Sequence, residues 1–354
     1  MKKTLNLCIS IVLILGTIFI SCQQSHDNQK INENYFTKHA KLYSDSEIDP
    51  DSLKGKIIVQ TSKDAYNLMI VDTIICVATL NRESLFSLFS INGNHLVDFG
   101  KAGNDSTGFT SNRLTGQSYQ TDDDMGIWVN DVNNNKLKRI SLTRSLKDKV
   151  CIVDSIIGIH SMVKNAFIHN RKLYEEIPKP HGFNLLISSI DDYTPLNKEK
   201  LFKGGIGKNG TNDMLFSNMV LSPDARYLVM AMNYINEVNI LNLKDYSRKT
   251  VSLGNVKKRD EVVNPLTHMP QWIYYGSVIP SRNYIISLYH NHEYDTPSDY
   301  NYPDSEVHVF DYDGNLKSRL VLDRYICALT YSENDNSIYG LDNHKRIIRY
   351  QLNP

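Results

Sequence analysis

Residues 216–253 read FSNMVLSPDARYLVMAMNYINEVNILNLKDYSRKTVSL. Short apolar runs (FSNMVL, YLVMAM, EVNILNL and RKTVSL) alternate here with turn residues, and no helical period of hydrophobic positions connects them. Pro223 presets φ for a tight turn, and Asp224 can accept hydrogen bonds from its own backbone, so SPDAR predicts a local hairpin. A unit of four short strands joined by turns is the expected product.

The same rhythm extends in both directions. Upstream lie YNLMIV, IICVATL, SLFSLFSI and HLVDF, then SYQT, GIWVND, KLKRISL and KVCIVDS, then MVKNAFI, KLYEEI, FNLLISSI and LNKEKLF. Downstream lie IYYGSVI, NYIISLY, SEVHVFDY and LKSRLVL. After Asp323 only YICALTY, SIYGLD and RIIRYQL remain, one strand short of a unit, whereas KIIVQTS at 56–62 is one strand in excess. The surplus and the deficit match. The reading is an all-β chain folded as a six-bladed β-propeller closed by an N-terminal strand, which leaves no open sheet edge. A β-sandwich would leave that balance unexplained. The strand–SPDxR–strand–strand–strand pattern resembles a blade of the TolB-like propellers.

The first residues, MKKTLNLCISIVLILGTIFISC, carry Lys2 and Lys3 ahead of an apolar run that is short beside the roughly 20 residues of a membrane-spanning helix. This is the shape of a secretory signal, and Phe19-Ile20-Ser21-Cys22 resembles a lipobox. The expected organisation is a signal peptide at 1–21, a lipidated Cys22 followed by a flexible tether through residue 53, and the propeller over 54–354. Acyl chains on Cys22 would anchor the chain to a membrane of the cell envelope. Gln23, where Asp would signal retention, points to the outer membrane. Two glycine-rich stretches, Phe99–Phe109 and Phe202–Phe216, resemble a motif of lipid-anchored six-bladed propellers of gut-type anaerobes. Asp105-Ser106-Thr107-Gly108 departs from that motif. The resemblance covers most of 55–354 and implies fold and address, with little about ligand.

Lys plus Arg and Asp plus Glu each number 39, so no basic excess suggests nucleic acid. Cys76, Cys151 and Cys327 sit in strand-like runs and read as buried free thiols, with one disulfide the alternative. If strands are labelled a to d from the axis outward, the a–b and c–d links are mostly short. The long insertions 100–117, 177–182, 203–215, 254–272 and 290–304 are b–c or d–a links and share one face. Insertions gathered on one face commonly build a binding surface. Candidate ligand-binding residues there are Arg113, His181, His268, Trp272, His290, His292, Tyr300 and Tyr302.

Chemistry is sparse. Gly205–Gly210 matches GxGxxG, but no helix follows to meet a pyrophosphate. His290 and His292 project to the same side of an extended chain and could begin a metal site, although no third ligand can be assigned. A catalytic propeller would gather acids, asparagines and a divalent ion at the axis, where Asn165, Asn218 and Asp342 are isolated candidates. No nucleophile elbow or zinc-protease motif occurs. The expectation is a binding or scaffold module for a protein, peptide or glycan, with no cofactor beyond the lipid. A metal-dependent propeller hydrolase or lyase is the alternative, so a divalent metal remains open.

Overall fold

A computed structural model describes residues 36–37, 39–179, 182–202, 215–254, 271–293 and 302–352. Six antiparallel sheets follow one another along the chain, each counted from an inner strand outward. The inner strands are Ala65–Val71, Arg113–Gln120, Asn165–His169, Ser217–Leu221, Trp272–Pro280 and Ile326–Ser332. Blades one to five take their remaining three strands in sequence order. In the sixth sheet Lys56–Gln60 lies antiparallel to Arg346–Gln351, with Gln60 opposite Arg346 and Lys56 opposite Arg349.

Blades bury both faces against their neighbours, so their middle strands have no solvated side. Ile74–Thr79 and Ser337–Asp342 are buried at every position. This explains why the runs read as continuously apolar instead of alternating. Outermost strands alternate instead, as in His95–Phe99 and Pro195–Lys200. The core consists of separate clusters between adjacent blades, such as Met69, Phe86, Phe109 and Val129 between blades one and two. Ile286, Leu320, Ile348 and Tyr350 fill the space between blades five and six.

The SPDAR turn forms as its residues dictate. The Asp224 carboxylate accepts the Arg226 amide N–H at 3.1 Å and the Ser222 hydroxyl at 2.8 Å. Ala225 takes a left-handed φ of 52°.

Two sequence expectations need correction. The stretch read as a free tether through residue 53 is packed on the propeller over its described part. Lys41–Tyr43 adds a parallel fifth strand outside Arg248–Leu253, and Asp51–Leu53 adds one outside Leu316–Leu322. Phe36 is buried against Phe202, with ring centroids 5.8 Å apart. The Tyr43 hydroxyl donates to the Gly314 carbonyl at 2.8 Å and accepts the Leu316 N–H at 3.1 Å. Two aromatic anchors and two short strand pairings thus dock a polar segment. Second, 177–182 is no insertion: Lys172–Lys179 and Gly182–Ser189 pair up to Lys179 opposite Gly182.

By strand order the remaining long links, 100–112, 201–216, 254–271 and 294–305, are b–c or d–a connections, as expected from the sequence. The opposite face carries one elaborate link, the helix Leu142–Asp148, whose Ser141 cap accepts the Arg144 N–H at 3.2 Å. Among the described residues no helix is long and apolar enough to cross a membrane.

Candidate functional site

Two groups of polar and aromatic residues stand out. The first is on the long-link face at blades five and six. Tyr302 comes from the b–c link of blade five, Tyr325 from the next d–a link, and His290 and His292 from the end of Tyr284–Glu293. The Tyr302 and Tyr325 rings stack at 4.5 Å, and the His292 ring lies 5.3 Å from Tyr302 and 5.6 Å from Tyr325. His290 lies 5.0 Å from Tyr325. Trp272 joins the same rim, its indole N–H donating to the Asn291 side chain at 3.0 Å. Tyr302, Tyr325 and His292 are half-buried, leaving aromatic surface accessible.

His290 and His292 do project together, 5.6 Å apart by ring centroid. The His292 Nδ1 is engaged with the Glu293 carbonyl at 2.6 Å, and among the described residues no three His, Cys, Asp or Glu side chains gather as a metal-holding group. His290 is buried against Gly276, where a Cβ would run into the imidazole, so the glycine makes room for the ring. Among the described residues the His290 Nδ1 has no hydrogen-bond partner. Burial first, and His292 second, pull the His290 pKa down to about 3.

A pH dependence follows. Unfolded, this histidine takes a proton near pH 6.5; folded, it does not until about pH 3. The unfolded state therefore binds the extra proton between those values, and stability falls on acidification by up to about 1.4 kcal/mol per pH unit. Glu237, pushed up to about 7 by burial, acts in the opposite direction, because its folded form takes a proton first. His290→Phe is expected to gain about 1–2 kcal/mol on wild type when urea unfolding is compared at pH 5 and pH 7. An unchanged difference would mean that His290 is already charged in the fold.

The second group lies at the axis. A central cavity of about 460 Å³ runs between the six inner strands. It reaches the short-turn face at Ser222, Pro223, Ser281, Arg282 and Glu333. Toward the other end its walls carry Asn67, Arg113, Asn165 and Asn218, one from each of the first four blades. A belt of hydrogen bonds joins blades two to five at this level. Arg113 donates to the Lys164 carbonyl at 3.1 Å, the Lys164 ammonium to the Ser217 carbonyl at 3.1 Å, and the Asn218 amide to the Gly276 carbonyl. Beside them Glu176 is fully buried, with Oε2 accepting from the Asn165 amide at 2.5 Å and Oε1 without a partner among the described residues. Burial pulls Lys164 down to about 8 and lowers Arg113, while Glu176 opposes both shifts.

Of the residues singled out in the sequence, the structure thus brings Trp272, His290, His292 and Tyr302 to one rim and places Arg113 in the cavity wall. Asn165 and Asn218 line that cavity; Asp342 instead is held by Arg346 at 2.7 Å. Cys22, His181, His268 and Tyr300 lie outside the described residues. Tyr325, Lys164 and Glu176 were missed. The acids at 175 and 176 inside the apolar run KLYEEI were the available signal, since a buried carboxylate needs partners. Cys76, Cys151 and Cys327 are free thiols, and burial pushes Cys151 up to about 12.

The fold and its axis define a six-bladed β-propeller with a polar central cavity and an aromatic rim. No family model matches the chain, and no curated protein matches it. Among solved structures it is similar to a protein described as exported from Bacteroides fragilis, 7% identical, covering 88% of this chain and 99% of that one with a TM-score of 0.52. Lower scores are found for the Kuenenia stuttgartiensis hydrazine synthase (9% identity, 80% and 75% coverage, TM-score 0.44) and for a chain of the mitotic checkpoint complex (9%, 88% and 94%, 0.43). At such identities the likeness speaks to the fold alone.

Proposed function

We propose that this chain is an envelope-anchored binding or scaffold propeller, held by acyl chains on Cys22 at the outer membrane, whose long-link face binds a protein, peptide or glycan. The observation that carries the proposal is the aromatic rim. Tyr302, Tyr325 and His292 stand together, half-exposed, on the face that holds most of the long connections. Aromatic side chains supply contact area at small entropic cost and stack on sugar and peptide groups alike. Ring closure by the N-terminal strand belongs to the same proposal, and the pairing of Lys56–Gln60 with Arg346–Gln351 supports it.

The test is affinity purification of tagged full-length protein from its native envelope in mild detergent. A stoichiometric partner is expected, and Tyr302→Ala combined with Tyr325→Ala should reduce its recovery roughly tenfold or more, as for an aromatic hot spot. Cys22→Ala should lose labelling by an alkyne fatty acid. Equal recovery by the tyrosine variant would remove the rim from the binding face, and a labelled Cys22→Ala would refute the lipid anchor.

A further inference from the structure

We infer that the central cavity is a second binding site, entered from the short-turn face, for a small hydroxylated carboxylate of the uronic- or aldonic-acid type, whose carboxylate pairs with Arg113. This site is separate from the aromatic rim and does not depend on it.

Two observations point to the carboxylate. Arg113 spends one N–H on the Lys164 carbonyl, and among the described residues the rest of its fork has no hydrogen-bond partner. An arginine in a cavity wall with an unfilled planar fork is matched by a planar carboxylate. The local charge count agrees. Arg113 and Lys164 flank the single carboxylate of Glu176, which stands behind the Asn165 amide and does not line the cavity. Two formal cations and one anion leave one positive charge, which a monocarboxylate would neutralise.

The surrounding groups specify the rest of the ligand. The Asn67 Oδ1 accepts the Leu68 N–H at 2.9 Å, and among the described residues its amide N–H groups have no partner. Asn165 and Asn218 also face the cavity. Amides offer both donors and acceptors, which is what vicinal hydroxyls require. The cavity falls within the usual range for small-ligand sites, about 300–1,000 Å³. Its route to solvent passes the short turns at Arg282 and Glu333, so the ligand would enter carboxylate first, and the hydroxyls nearest the carboxylate would meet the amides at the Arg113 level.

The experiment is isothermal titration of purified full-length protein in detergent with glucuronate, galacturonate and gluconate, beside glucose and glucose 6-phosphate. At least one of the three acids is expected to bind and glucose is not. Arg113→Gln should weaken that binding about tenfold or more, as for loss of a charged hydrogen-bond partner. Lys249→Ala, a surface variant on the outer strand of blade four, should leave it unchanged. If Arg113→Gln fails to fold, Asn67→Ala provides the second reading, with an expected loss of several-fold. Failure of all three acids to bind, equal binding of glucose, binding of the phosphate ester alone, or acid binding indifferent to both variants would each overturn the proposal.

Discussion

Replacing Lys138 with methionine is expected to destabilise the propeller by about 3–5 kcal/mol, the cost of stranding one member of a buried ion pair. Lys138 lies in Lys136–Ser141 and Asp131 ends the neighbouring strand, and neither side chain has solvent exposure. The ammonium stands 3.1 Å from the Asp131 carboxylate, 3.3 Å from the Asp105 carbonyl and in contact with the Gly108 carbonyl. It also lies 4.6 Å above the Phe109 ring. The carboxylate meanwhile accepts from Thr110 N at 3.0 Å, Ser111 N at 2.9 Å and Asn134 at 2.8 Å. Burial would push Asp131 up, but these hydrogen bonds and Lys138 outweigh it and keep the group below the ordinary carboxylate range. Methionine preserves most of the volume, so the loss would be electrostatic.

Urea unfolding of three variants distinguishes this account from a simple packing effect. Lys138→Met should shift the midpoint strongly, while Lys138→Met with Asp131→Asn should recover a good part of the loss, because no charge is then left unpaired. Lys249→Ala breaks an exposed pair with Asp313 at 2.6 Å and should cost under about 1 kcal/mol. A Lys138→Met protein within about 1 kcal/mol of wild type would mean that water reaches Asp131. The pair has a functional consequence as well. It fixes the link at 105–111 that leads directly into Arg113, so the cavity wall begins from a rigid anchor.

How much of this was legible follows from where the information resides. Strand positions were readable because each blade is buried on both faces, and the chain records that as short apolar runs broken by turn residues. The docking of 36–53 was not readable. Phe36 and Tyr43 are single aromatics in a polar segment, and nothing in their spacing distinguishes an anchor from a tether. The helix Leu142–Asp148 has seven residues, too few to display a period. The rim was partly readable, since Trp272, His290, His292 and Tyr302 all belong to blade five. Tyr325 joins them only through the following link. The axial group was legible only in part: Asn165 and Asn218 stood as isolated axial candidates, but Asn67 and Arg113 join them because ring geometry brings the inner strands together, and linear spacing does not encode that convergence.

Deleting residues 54–62 is expected to abolish cooperative unfolding at 37 °C and to drive the protein into aggregates. The segment supplies the outermost strand of the sixth sheet, pairing Ile347 with Val59 and Ile348 with Ile57. The Thr61 hydroxyl and the Gln60 amide also donate to the Lys345 and His344 carbonyls at 2.7 and 2.8 Å. Gly55 sits so tightly on Ile348 and Tyr350 that a side chain there would displace them, and Gly93 abuts the Ile58 carbonyl at a left-handed φ of 89°. Removing this strand would expose the unpaired edge of Arg346–Gln351, a template for association. It would also fuse Leu53, docked on blade five, directly to Lys63 at the start of blade one, so that both could not keep their places. Loss of any nine residues could unfold a protein, so the informative variant moves them: the deleted chain with 54–62 appended after Pro354 through an Asn-Gly turn. That chain should regain a cooperative melt, because the sixth blade then receives its outer strand as the other five do, from the preceding hairpin. A deletion protein that melts within a few degrees of wild type would show that the ring holds without this strand. Failure of the appended chain, with the deletion unfolded, would instead assign the segment's importance to its link with blades four and five.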